Sequence, residues 1–210
     1  MTIASHSSFI LLADGLFPTH PFPLEQLQHA DTVVCCDGAS QKLLDFGRDP
    51  DFIVGDFDSI SSEIKKRFPD RLIHHPDQET NDLTKGFQLC LQLGATNLTI
   101  LGATGLREDH TLGNISLLYE YATALPTVRM MTDFGIFTVI DHSASIQSYP
   151  GQQISLFSID ASQCITSEGL KYPLLNRPLT NWWQGTLNES LSDTFQITLS
   201  HGSLLVFQCY

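Results

Sequence analysis

The sequence predicts an α/β fold: an N-terminal, mostly parallel sheet with helices on both faces, followed by a C-terminal, sandwich-like all-β domain. Two observations carry this expectation. Up to about Asp133, short apolar runs alternate with segments whose apolar residues recur at helical spacing, the pattern of strands joined by crossover helices. After Phe134 the period switches to two, and Phe195-Gln-Ile-Thr-Leu199 alternates strictly. The expected domains are therefore residues 1–133 and 134–210.

The strands expected in the first domain are Phe9 to Ala13, Thr32 to Cys36, Phe52 to Val54, Arg71 to His74, Leu98 to Leu101 and Val128 to Met131. Between them lie the helical patterns Leu24 to His29, Ser40 to Phe46, Ser61 to Phe68, Asp82 to Leu93 and Asp109 to Ala124. The clearest helix sets Leu83, Phe87, Cys90 and Leu91 on one face and stops at Gly94, a residue type suited to a helix C-terminus. In the second domain, Ile136 to Ile140 and Ile154 to Ile159 read as strands. Phe195 to Leu199, His201-Gly202 and Leu204 to Cys209 read as a β-hairpin.

Composition narrows the function. With 210 residues, 42% of them hydrophobic, the chain is long enough to bury a sizeable core. A formal net charge of −12 argues against a nucleic-acid or anionic-membrane footprint, because those partners require clustered Lys and Arg. Cys35, Cys36, Cys90, Cys164 and Cys209 form no C-x-x-C pair, so they read as reduced core residues rather than zinc ligands or a disulfide framework. No basic segment followed by a long apolar stretch opens the chain, and a cytoplasmic location is expected.

In open α/β sheets, ligands bind beyond the carboxyl ends of the strands. Four polar clusters follow apolar runs in that position: Asp14-Gly15, Asp37-Gly38-Ala39, Asp56-Phe-Asp58-Ser59 and Gly102 to His110. Two carboxylates ~4 Å apart repel by about 4 kcal/mol at an effective dielectric near 20, so Asp56 and Asp58 need either water or a cation. If strand alternation continues, both point to one side with Phe57 opposed, a hard-oxygen pair suited to Mg²⁺. A lone D-x-D also serves as a turn or helix cap, with Ser59 or Ser61 as the capping residue. In "DQETNDLTKG", Thr80 or Asn81 is the N-cap and Asp82 and Lys85 share the first turn, as a dipole-complementing acid with an ion pair or as site residues. In "GATGLREDHTLGN", Gly102 and Gly105 permit close backbone approach and Arg107 offers a donor fork to phosphate, while Asp109, His110 and Asn114 open a helix. The spacing matches neither G-x-G-x-x-G nor a P-loop.

Together these motifs resemble the thiamine pyrophosphokinase family: D-G-A at Asp37 to Ala39, G-D-x-D-S at Gly55 to Ser59, D-Q-x-x-N-D-x-x-K at Asp77 to Lys85, and G-x-x-G-x-R-x-D-H-x-L-x-N at Gly102 to Asn114. The resemblance implies transfer of pyrophosphate from ATP to the hydroxyl of thiamine, with release of AMP, in a homodimer whose β domain contributes thiamine and dimer contacts. Carried over by position, Asp56, Asp58 and Asp82 hold Mg²⁺, with Asp109 supporting the site. ATP contacts fall on Asp14, Gly15, Asp37, Gly38, Lys85, Thr104, Gly105, Arg107, His110 and Asn114. Thiamine contacts fall on Gln78, Asp82, Tyr172 and Asn188. Asp82 is also the candidate to take or orient the hydroxyl proton. Two departures stand out: Leu187 precedes Asn188 where the family shows serine, and Gly86 stands where Ala is commoner. Trp182 and Trp183 suit either a cationic heterocycle or an interface or core position. Competing readings are a pyrophosphokinase for another alcohol such as a hydroxymethylpterin, a haloacid-dehalogenase-like phosphatase using the D-x-D, and a nucleotide sensor without turnover.

Overall fold

The computed structural model describes residues 7–75 and 79–210. Its chain forms two compact units, one of Met1–Leu117 with Thr127–Asp133 and one of Leu118–Pro126 with Phe134–Tyr210. The first unit runs β1 (Ser8–Leu12), α1 (Pro21–His29), β2 (Thr32–Cys36), α2 (Ala39–Asp45), β3 (Phe52–Gly55), α3 (Ser62–Arg67), β4 (Leu72–His74), α4 (Asp82–Gln92), β5 (Asn97–Leu101), the start of α5 (Glu108–Ala124) and β6 (Arg129–Met131). All six strands pair in parallel, in the order β6-β5-β1-β2-β3-β4. The buried runs Ile10 to Leu12, Val33 to Cys36 and Ile100 to Leu101 are apolar without alternation because helices cover a parallel sheet.

Helix starts follow local chemistry. Ser61 caps α3 by accepting from the Ile64 N–H, and Asn81 caps α4 by accepting from the Thr84 N–H. Gly86 has a packing reason: a Cβ there would lie 2.4 Å from Leu11 Cδ1 and 3.3 Å from Cys36 Sγ, so α4 presses on β1 and β2 at that point. Strands β2, β3 and β4 succeed one another outward from β1, whereas β5 returns to its other side. The loops after β1 and β5 therefore flank the place where strand order reverses, the crevice such sheets use for ligands.

The second unit contains β7 (Gly135–Ile140), β8 (Ala144–Gln147), β9 (Gln153–Phe157), β10 (Cys164–Glu168), β11 (Arg177–Pro178), β12 (Asn188–Glu189), β13 (Thr194–Leu199) and β14 (Leu204–Cys209). They pair antiparallel in two sets, β12-β9-β14-β7 and β11-β10-β13-β8. Here the sequence expectation needs correction: β13 and β14 are not a paired hairpin. The His201-Gly202 turn carries the chain from one sheet to the other. Phe195 and Ile197 of β13 and Leu204 and Val206 of β14 join one buried cluster, and such alternation looks the same for a hairpin as for a corner between packed sheets. Residues 118–126 of α5 group with this unit, where the Tyr119 hydroxyl donates to Phe157 O and accepts from the Leu205 N–H. The five cysteines are free, and among the described residues no helix is long and apolar enough to cross a membrane.

Candidate active site

The loops after β1 and β5 are laced together by backbone: Ala13 N–H to Leu101 O at 2.8 Å, Gly15 N–H to Gly102 O at 2.6 Å, and Leu16 N–H to Thr104 O at 2.9 Å. A side chain at Gly15 would sit 2.3 Å from Gly102 O. Gly102, at φ +65°, would bring one within 2.5 Å of Ala13 O, so both positions demand glycine. Beside this seam opens a cavity of about 510 Å³. The loop after β1 lends it Asp14 and Gly15, the loop after β2 Asp37, and the loop after β3 Asp56, Asp58 and Ser59. Asp82 at the start of α4, with Thr104, Arg107, His110 and Asn114 around the start of α5, completes the polar lining.

Three acids converge there. One carboxylate oxygen from each of Asp37, Asp56 and Asp58 lies within 4.8 Å of the others. Asp56 and Asp58 meet by a different route from strand alternation. β3 ends at Gly55, and Phe57 takes a left-handed conformation, φ +67°, which is rare for a bulky residue. The Asp58 N–H then donates to Asp56 Oδ1 at 3.2 Å. Asp37 arrives because β2 and β3 are in register, Cys36 beside Val54, and its N–H continues the ladder to Val54 O. Asp37 is 5% exposed; its Oδ2 accepts from the Ser59 N–H at 3.3 Å, and its Oδ1 is buried with no hydrogen-bond partner among the described residues. Burial pushes its carboxyl up to about 6, partly opposed by the Ser59 N–H and reinforced by Asp82, Asp56 and Asp58.

The remaining acids of the cavity have lysines of their own. Asp82 Oδ1 pairs at 3.1 Å with Lys85 Nζ, which is only 4% exposed, and Asp14 Oδ1 pairs at 2.7 Å with Lys42 Nζ. The converging set holds Asp37, Asp56 and Asp58, while Asp82, the third acid of the sequence reading, lines the same cavity paired with Lys85. Arg107 forks onto Asp109, and that guanidinium, with the His110 N–H, holds the Asp109 carboxyl at about 2. Asn114 Nδ2 donates to Ala103 O at 2.8 Å, anchoring the β5–α5 loop. Gly105 lies at φ +90° against Leu16, and Gly38 precedes α2 against the Asp14 carboxylate.

Tyr172 and Asn188 belong to the second unit. Asn188 is buried and spends its amide on backbone: Nδ2 donates to Tyr172 O at 2.8 Å, and Oδ1 accepts from the N–H groups of Tyr172 and Glu189. It holds the exposed Tyr172 in place with one of its two amide N–H donors. Leu187 adopts φ +60° with 80% of its surface exposed. Trp182 packs edge-on to Phe157 and donates to Ser158 O, while Trp183 faces solvent. Gln78 lies outside the described residues. The sequence reading missed Lys42 and the backbone role of Ser59. The serine lay inside a quoted motif, but nothing near Lys42 in the chain signals a partner 28 residues upstream.

Comparison with known proteins assigns both parts of the chain to one family. The catalytic-domain model of thiamin pyrophosphokinase matches residues 24–130, and the substrate-binding-domain model matches residues 135–207. The thiamine pyrophosphokinase of Bacillus subtilis is 30% identical over 161 residues, covering 69% of this chain and 71% of the relative. Thiamin pyrophosphokinase 1 of Caenorhabditis elegans is 29% identical over 189 residues, covering 83% and 76%. A thiamin pyrophosphokinase family protein from Enterococcus faecalis superposes with a TM-score of 0.81 at 25% identity, over 97% of this chain and 99% of that one. With both halves matched in order, this chain belongs to the thiamin pyrophosphokinase family.

Proposed function

We propose that this protein is a Mg²⁺-dependent thiamine pyrophosphokinase, transferring the pyrophosphoryl group of ATP to the hydroxyl of thiamine and releasing AMP. Family membership supports the reaction. The observation that carries the metal is the convergence of Asp37, Asp56 and Asp58, together with an Asp37 Oδ1 that has no hydrogen-bond partner among the described residues. A buried carboxylate oxygen without a donor is costly unless a cation serves it, and a set of hard oxygens suits Mg²⁺. When bound, Mg²⁺ neutralises phosphate charge and favours in-line displacement at phosphorus.

The protein's own groups do the rest. Arg107 lines the cavity with its Nε and Nη2 on Asp109, and we assign its Nη1 as the donor to a phosphate oxygen. To Asp82, held by Lys85, we assign orienting the substrate hydroxyl and accepting its proton as the new oxygen–Pβ bond forms and the bridging oxygen leaves with AMP. Tyr172, fixed by Asn188, is the proposed thiamine contact of the second unit. We also assign a homodimer in the cytoplasm. The family resemblance supports the dimer, as do the exposed Tyr172, Leu175, Trp183 and Leu187, and the free thiols fit a reducing compartment.

The test is product analysis with Mg²⁺ and ATP. AMP and thiamine diphosphate should form together, only when thiamine is present, and Asp58→Ala should abolish them while the circular dichroism spectrum persists. ADP as product, or faster turnover of a hydroxymethylpterin, would overturn the assignment.

A further inference from the structure

Lys42 projects from α2 toward the loop after β1 and meets three acceptors there: Asp14 Oδ1 at 2.7 Å, Asp14 O at 2.9 Å and Gly15 O at 2.7 Å. Holding a long side chain on three acceptors costs rotamer entropy. On its other side the Asp14 carboxylate abuts Gly38, where a Cβ would lie 2.5 Å from Asp14 Oδ2. Gly15 in turn is tied to Gly102 O. Asp14 is thus confined by Lys42, Gly38 and the β1–β5 seam, and it lines the cavity that holds Asp37, Asp56 and Asp58.

We propose that Lys42 is a positioning residue of the nucleotide pocket: it fixes the β1–α1 loop and neutralises Asp14, so that this carboxylate neither repels a polyphosphate nor competes for the cation. The inference rests on the reading that the cavity takes ATP. Without Lys42 the cavity gains an unmatched negative charge, and the carbonyls of Asp14 and Gly15 lose their shared donor.

The experiment titrates a fluorescent ATP analogue with Mg²⁺ in the absence of thiamine, and separately measures kcat and KM for each substrate. Lys42→Met should weaken ATP binding and raise its KM about tenfold, the scale of one charge-assisted hydrogen bond, while leaving the KM for thiamine within about twofold. Lys42→Arg should recover most of the loss. Adding Asp14→Asn to Lys42→Met should recover part of the loss, the share caused by the unmatched carboxylate, the remainder belonging to the two carbonyls. Should Lys42→Met fail to fold, Lys42→Gln takes its place. A lowered melting midpoint with unchanged ATP affinity, equal rises in both KM values, no recovery by arginine, or additive losses in the double variant would each overturn the proposal. Failure of the wild type to bind ATP removes the underlying reading. Binding without AMP formation removes only the catalytic assignment.

Discussion

At the scale of single residues, the cavity sorts its carboxylates by partner. Asp14 and Asp82 each have a lysine, whereas Asp37, Asp56 and Asp58 face one another. Cation affinity should follow that division. By calorimetric titration with Mg²⁺, Asp37→Asn and Asp56→Asn are each expected to weaken binding about tenfold or more. The charge-conserving pair Asp82→Asn with Lys85→Met should change it less than about threefold, since both members of an existing ion pair are removed together. An equal loss in the pair variant would make Asp82 a fourth ligand. The acids themselves were legible as residues, because they follow apolar runs that end at one edge of a parallel sheet. Which three converge was not, since that depends on the Cys36–Val54 register and on a phenylalanine turned left-handed at position 57. Neither feature leaves a mark in local composition.

At the scale of elements, the segment between β1 and α1 is pinned from two directions. Lys42 holds Asp14 and Gly15, and Asp133, just beyond β6, takes the N–H groups of Thr19 and His20 and the Thr19 hydroxyl. Burial opposes ionisation of Asp133, but these donors outweigh it and hold its carboxyl below the usual range. A carboxyl lowered in the folded state stabilises above its unfolded pKa and loses that contribution as pH falls through the folded value. Asp133→Ala should therefore cost about 1–2 kcal/mol at pH 7. The difference from wild type, followed by urea denaturation, should shrink toward pH 3; a constant penalty would mean that the charge is irrelevant. The strand and helix alternation of the first unit was readable because its apolar runs are continuous. In the second unit, strands such as Ala-Ser-Ile-Gln at β8 and Cys-Ile-Thr-Ser-Glu at β10 bury only alternate residues, too few to stand out from loop. The pairing of β13 and β14 with different sheets lay beyond any pattern of period two.

At the scale of the whole molecule, the two units are not consecutive stretches of chain. Residues 118–126 group with the β unit, yet residues 127–133 return to the first before the β strands begin. Tyr119 supplies a buried hydroxyl bonded to Phe157 O and the Leu205 N–H, and Leu118 and Tyr121 are fully buried. A fragment comprising residues 134–210 leaves the Leu205 N–H without that acceptor and β9 and β14 without the helix residues grouped with them. It should show weak near-ultraviolet dichroism and rapid proteolysis, whereas residues 108–210 should regain protection; equal protection of the two would make the helix dispensable. Sequence reading placed the boundary after Asp133 because the change of period falls there, and period says nothing about where a helix spends its last two turns. The interleaving also bears on descent. A recombination event joining the β unit to another partner at that apparent seam would deliver it incomplete, so inheritance of the two halves is expected to be locked together.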